Sequence, residues 1–226
     1  MSDPDLAVIF DVDGVLVDSW GAHYRSWSLM AAECGVPFSE ADFAASFGMT
    51  SDEVIRRHWG DADGPPPPDR IAALDDRKER LYRDLVDRDF PPIPGAAELI
   101  DALHAAGVPL AVGSSGPPEN VGLVLERLGR ADRFGAVVSR ADVARGKPAP
   151  DIFQEAARRL GVSVSRCVVI EDAPAGVAAA RAAGMRVLAL LSTGRRREDF
   201  ADLPPDGFTD CLRQVAPATL AALLPA

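Results

Sequence analysis

Four short apolar runs punctuate the chain: Ala7–Asp11 (AVIFD), Val108–Gly113 (VPLAVG), Cys167–Glu171 (CVVIE) and Arg186–Leu191 (RVLALL), with Ala136–Ser139 a weaker fifth. None alternates apolar with polar. Runs of this length, rich in Val, Ile and Leu, read as strands buried on both faces, the habit of a parallel sheet. Between them the period changes to that of a helix. Leu99, Ile100, Leu103 and Ala106 precede Gly107; Val121, Val124, Leu125 and Leu128 precede Gly129; Ile152, Phe153, Ala156 and Leu160 precede Gly161, with Asp151 expected to cap the start; Pro174 to Ala183 closes at Gly184. Strand, helix, glycine, strand is the grammar of βαβ units.

Residues 18–91 break this grammar. They hold no good buried strand but several helical patterns: Trp20 to Cys34 before Gly35, a capping box at Thr50 and Glu53 opening a helix toward Trp59, and an amphipathic series through Ile71, Leu74, Leu81 and Leu85. Pro65–Pro68 is expected to be a rigid spacer between helices, and Pro91–Gly95 a hinge returning the chain to the sheet. The fold class expected is therefore α/β. A Rossmann-like parallel-sheet core, residues 1–17 and 92–226, carries an inserted helical domain at 18–91.

Composition narrows the partners. The chain has 226 residues, enough to bury a core without disulfide or metal staples. Its 34 acidic and 24 basic residues give a net charge of −10, which argues against nucleic acid or an anionic membrane surface as partner. No apolar run approaches the ~18 residues of a membrane span. The acidic start, Met1-Ser2-Asp3-Pro4-Asp5, lacks a secretory signal's basic opening, and Cys34, Cys167 and Cys211 form no metal spacing. These features predict a reduced, cytoplasmic protein, a monomer or weak dimer.

The strand ends carry the candidate chemistry. Ligands of open parallel sheets sit at the C-terminal ends of strands. Asp11 and Asp13 follow the first run, Ser114 and Ser115 the second, Glu171 and Asp172 another, and Lys147 lies in the loop after the weak strand. Asp11 and Asp13, at i and i+2 on an extended tip, would share a face, while Gly14 allows a tight turn. Four carboxylates in one crevice repel unless a cation sits among them. All-oxygen donors without His or Cys suit a hard ion, so Mg²⁺ is the expected cofactor. Ser114, with Ser115 and Gly116 beside it, offers hydroxyl and N–H groups to a phosphate. Lys147 would neutralise the charge that phosphate brings.

In order along the chain stand FDVDGVLVDS from Phe10, GSS at Gly113–Ser115, GKPAPDIF from Gly146 and VIEDAPAG from Val169. With these motifs the chain resembles the haloacid dehalogenase superfamily of aspartyl phosphotransferases, and within it the β-phosphoglucomutase-like branch, whose small helical cap follows the first motif. The resemblance implies a Mg²⁺-dependent phosphatase of a small phosphorylated metabolite, a sugar or polyol phosphate; the alternative is a β-phosphoglucomutase-type mutase. It implies Asp11 as nucleophile and Asp13 as general acid/base. It implies the Asp11 and Asp172 carboxylates and the Asp13 backbone carbonyl as Mg²⁺ ligands, Glu171 as a ligand through water or an orienter, and Ser114 and Lys147 as a phosphate clamp. In the cap it points to His23, and to Gly48 and Thr50 in the Phe47–Thr50 loop, as substrate-facing, and brings Lys78 near the substrate. One position departs: the mutases carry an Arg near Ser51 that holds a second phosphate, with Arg56 and Arg57 here a turn or more along. A receiver-type signalling domain would be shorter and uninterrupted. A catalytically silent binding module would not need every one of these positions filled.

Overall fold

The computed structural model describes residues 4–46, 49–60 and 64–225. The chain divides into two compact units: Met1–Asp18 with Pro91–Ala226, and Ser19–Phe90.

The larger unit is built on a parallel sheet. In chain order its strands are β1 (Ala7–Phe10), β2 (Leu110–Gly113), β3 (Ala136–Val138), β4 (Cys167–Glu171), β5 (Arg186–Leu190) and β6 (Gly207–Thr209), and in space they lie β3-β2-β1-β4-β5-β6. All residues of β1, β2 and β4 are buried, as non-alternating apolar runs require. The order reverses at β1: β2 and β3 lie to one side, β4 to β6 to the other. The register pairs Phe10 with Val112 and with Ile170, which brings the C-terminal ends of β1, β2 and β4 level. That reversal is where such a sheet opens a crevice.

The helices of this unit follow the glycine punctuation. In the chain numbering used below, α1 to α4 belong to the smaller unit, and α5 (Ala96–Ala105), α6 (Pro118–Leu128), α7 (Asp151–Leu160), α8 (Pro174–Ala182) and α9 (Pro217–Ala221) to the larger. Gly129 and Gly161 take the left-handed conformation that ends α6 and α7. Asp151 does not cap α7. It is the first residue inside the helix, Pro150 precedes it, and its carboxylate pairs with Arg145 at 2.7 Å. Strand β6 has no counterpart in the apolar runs; it is three residues long and, among the described residues, pairs only with β5. Where the chain leaves and re-enters this unit, the two segments lie side by side: Asp18 N–H donates to the Pro91 carbonyl at 2.8 Å and Ile93 N–H to the Leu16 carbonyl at 3.1 Å.

The smaller unit is helical: α1 (Trp20–Cys34), α2 (Glu40–Ala45), α3 (Ser51–His58) and α4 (Pro68–Arg88). Its core gathers Trp27, Met30, Phe43, Ile55, Ile71 and Leu74. The spacer is shorter than expected, since Pro68 is already the first residue of α4, a position where its missing N–H costs nothing.

Candidate active site

Asp11 is the residue immediately after β1. Its N–H donates to the Ile170 carbonyl at 3.0 Å, so the ladder itself holds it, and its side chain is buried. The chain then turns rather than continuing extended: Leu16 N–H reaches the Val12 carbonyl at 2.8 Å and Gly14 N–H the Val17 carbonyl at 2.8 Å. The turn itself is residues 14–16; Asp13 stands just before it, half-buried and bridged to Val17. Gly14, at φ +75°, allows the turn and a close approach as well: a Cβ there would lie 2.2 Å from Asp172 Oδ2.

Three carboxylates meet at the ends of β1 and β4. Asp11, Glu171 and Asp172 are all buried, each with an oxygen within 4.8 Å of the others. Glu171 folds back toward the start of α8, where its Oε2 accepts from the Asp172 and Ala173 N–H groups, each at 2.8 Å. Lys147 bridges the cluster, with Nζ donating to Asp11 Oδ1 at 2.6 Å and to Glu171 Oε1 at 2.8 Å. The same ammonium stands 4.8 Å from the ring centroid of Phe153, six residues on. The Asp13 carboxylate is outside the trio. It lies toward Gly116, where a Cβ would be 3.3 Å from Ser114 Oγ and 3.9 Å from Asp13 Oδ2. Ser114, at the end of β2, is buried and accepts from the Gly116 N–H at 3.0 Å, leaving its O–H to donate; Ser115 is exposed.

Burial sets the electrostatics. Desolvation pushes the Asp11 carboxyl up to about 7; the Lys147 charge draws it back, and Glu171 and Asp13 push it further. Asp172 also stands well above the ordinary carboxylate value, first through burial and then through Glu171 and Asp11, with Arg195 and a Thr193 hydrogen bond pulling the other way. Burial presses the Lys147 ammonium down, but Asp11 and Glu171 outweigh it and the net shift is upward. An all-oxygen trio of buried acids, short of positive charge, fits a hard divalent cation.

Two hydroxyls after β5 belong to this site and carried no signal in the apolar pattern. Ser192 Oγ donates to the Gly14 carbonyl, and Thr193 Oγ1 donates to Asp172 Oδ2 at 3.1 Å. Gly176, which closes the VIEDAPAG motif, lies in the first turn of α8 and packs on the site as well. A Cβ there would fall 1.6 Å from Glu171 Oε1.

The remaining candidates lie in the helical unit. His23, on α1, stacks on Tyr82 at 4.2 Å, and its Nδ1 is 3.0 Å from Lys78 Nζ. Lys78 is buried, not solvated, and pairs with Glu79 at 2.8 Å. Thr50 caps α3: its Oγ1 accepts from the Glu53 N–H at 3.3 Å, and its own N–H donates to Glu53 Oε2 at 2.7 Å. Ser51 hydrogen-bonds to Asp75, a carboxylate raised by burial and by Glu79. Arg56 is paired with Asp52 at 2.6 Å. Gly48 and Phe47 lie outside the described residues.

Comparison with known proteins places this geometry. Over 183 residues the chain is 34% identical to the β-phosphoglucomutase of Bacillus subtilis, covering 79% of this chain and 80% of that one. It is 31% identical over 186 residues to the validoxylamine A 7′-phosphate phosphatase of Streptomyces hygroscopicus, covering 82% and 85%. The crystal structure of CbbY from Rhodobacter sphaeroides in complex with phosphate superposes with a TM-score of 0.84 at 30% identity, over 95% of this chain and 98% of that one. The family model for haloacid dehalogenase-like hydrolases matches residues 6–184, a span that runs from the first strand through the acids of β4 and all of α8, and the chain belongs to that family.

Proposed function

We propose that the protein is a Mg²⁺-dependent phosphatase of a small phosphorylated metabolite, a sugar or polyol monophosphate, working through a phosphoryl group carried on Asp11. The observation that carries the reading is the buried Lys147 bridging Asp11 and Glu171 at the level ends of β1 and β4. Lys147 takes Oδ1 of Asp11 and leaves Oδ2 to attack phosphorus. The new Oδ2–P bond forms as the bond to the leaving oxygen breaks, and Asp13 gives that oxygen its proton. Asp13, now ionised, takes a proton from water as the water oxygen attacks the aspartyl phosphate, which releases inorganic phosphate and restores Asp11. Lys147 and Ser114 hold the phosphoryl oxygens, with Ser115 and Gly14 beside them. Asp11, Asp172 and the Asp13 backbone carbonyl would hold Mg²⁺, with Glu171 a ligand through water or an orienter; bound there, the ion neutralises charge on the transferring group. The helical unit, with His23, Thr50 and Gly48, is assigned the choice of leaving group.

A second reading, the mutase, is favoured by the identity to the Bacillus subtilis enzyme. Ser51, bonded to Asp75, speaks for the phosphatase. A carboxylate beside that position repels a second phosphate, where an Arg would clamp it. Release of inorganic phosphate, measured with Mg²⁺ over a panel of sugar, polyol and nucleotide monophosphates, tests the proposal. Preference for a sugar or polyol phosphate supports it. Silence across the panel, or a preference for nucleotides, overturns it.

A further inference from the structure

Among the described residues only one that is not glycine has a positive φ: Thr193, at +51°, in the loop after β5. A β-branched side chain is poorly suited to that region, whereas Gly194 beside it adopts φ +79° without penalty. A threonine kept in such a conformation invites a search for what its side chain does there. Its hydroxyl donates to Asp172 Oδ2 at 3.1 Å. The neighbouring Ser192 hydroxyl donates to the Gly14 carbonyl, and Gly14 is the residue packed so closely on Asp172 that no Cβ would fit between them. The Gly14 backbone and the Thr193 hydroxyl thus both close on the same oxygen of Asp172, Oδ2. The Ser192-Thr193 pair ties both to the end of β5.

We propose that Thr193 is a positioning residue: its hydroxyl, presented by a left-handed backbone, sets the orientation of the Asp172 carboxylate toward Asp11 and Glu171, and with it the affinity of that cluster for a divalent cation. The inference rests on the reading of the cluster as a metal site. Groups that orient a metal-binding side chain are worth about 10–100-fold in affinity.

The test is Mg²⁺ titration by calorimetry on the full chain, with no substrate present, beside thermal melting of the same samples. Thr193→Val keeps the branched shape and removes the hydroxyl; Mg²⁺ should bind about 10–100-fold more weakly. Thr193→Gly also removes the hydroxyl but suits the left-handed backbone, so it should melt no lower than the natural chain and still lose affinity to the same degree. Thr193→Ser restores the hydroxyl and should restore binding to within about threefold, well inside the range that loss of an orienting group produces. Should the valine chain fail to fold, the glycine chain carries the comparison. Natural affinity in the glycine chain, or affinity in the serine chain as weak as in the glycine chain, overturns the inference while leaving the metal site standing. Absence of Mg²⁺ binding in the natural chain overturns the metal-site reading and the inference together.

Discussion

Replacing a helical glycine by alanine ordinarily stabilises a protein by about 0.5–1 kcal/mol, because alanine loses less backbone freedom on folding. Gly176→Ala should do the opposite. The added Cβ would stand 1.6 Å from Glu171 Oε1, 1.9 Å from its Cδ and 2.6 Å from Oε2, so the carboxylate must leave. It is buried where it sits, and leaving breaks three bonds: two from the Asp172 and Ala173 N–H groups and one from Lys147, each at 2.8 Å. Breaking a buried ion pair costs about 3–5 kcal/mol. Subtracting the helix gain of under about 1 kcal/mol leaves a net loss of about 2–4 kcal/mol. For a chain of 226 residues, where each kcal/mol moves the melting point by about 2–4 °C, the midpoint should fall by about 5–15 °C. Thermal melting followed by circular dichroism, with chelator present so that no metal compensates, reads this directly. In a Glu171→Ala background the same alanine has nothing to strike, and there it should be neutral or stabilising. A raised or unchanged midpoint for Gly176→Ala alone, or an equal loss in both backgrounds, would refute the packing argument.

Asp11→Asn keeps shape but removes the attacking carboxylate; phosphate release should drop by several orders of magnitude, within the ~8–23 kcal/mol that enzymes supply, while circular dichroism shows the chain still folded. A tenth of the natural rate would rule Asp11 out as nucleophile. Asp11 is raised to about 7 from an ordinary 3.8, so the folded metal-free chain holds a proton the unfolded chain has lost, and the stability this contributes is full below about pH 4 and fades as pH rises through about 7. Metal-free protein should therefore melt lower at pH 8 than at pH 5, and Mg²⁺ should raise the midpoint more at pH 8, where it displaces fewer protons; a larger Mg²⁺ effect at pH 5 would contradict this. β-Glucose 1-phosphate, given with Mg²⁺ and a trace of glucose 1,6-bisphosphate, should yield free phosphate or nothing, and stoichiometric glucose 6-phosphate by coupled assay would promote the mutase.

The parts of the fold visible in the sequence are those where a local pattern and the tertiary environment agree. A strand covered on both faces needs unbroken apolar residues, and β1, β2, β4 and β5 each announce themselves that way. Strand β6 does not: Gly207, Phe208 and Thr209 form no run, and only pairing with β5 makes them a strand. Helix α2 was missed for a different reason. Its six residues are too few to display a period, although Ser39 and Asp42 form the reciprocal cap that marks its start. In the site, acids closing buried strands stand out because such a position is costly without a partner, which is why Asp11, Glu171 and Asp172 were visible. Ser192 and Thr193 also follow a strand, but loop hydroxyls are common, and their partners, Gly14 and Asp172, are 178 and 21 residues away. Gly176 stands within the VIEDAPAG motif, but its role is not legible there, because its contribution is the space it leaves.

The arrangement around Lys147 unites these observations. Three buried carboxylates face one ammonium, and charge on that scale is not tolerated in a low-dielectric crevice without compensation. Without metal, the compensation available is protonation, which is what the upward displacement of Asp11 and Asp172 expresses. If Asp11 is the nucleophile proposed above, a proton on it would silence it, and the state that is electrostatically comfortable would also be the state that cannot react. A divalent cation removes the need for those protons and frees the Asp11 oxygen that Lys147 leaves uncovered. With the ion bound, the three carboxylates would be balanced by Lys147 and the cation, so on the proposed reading a phosphoryl anion would meet a neutralised cluster rather than a repelling one. The proposed function thus needs the ion before the anionic substrate, and the strand order that levels the ends of β1, β2 and β4 is what lets distant stretches of chain supply the cluster.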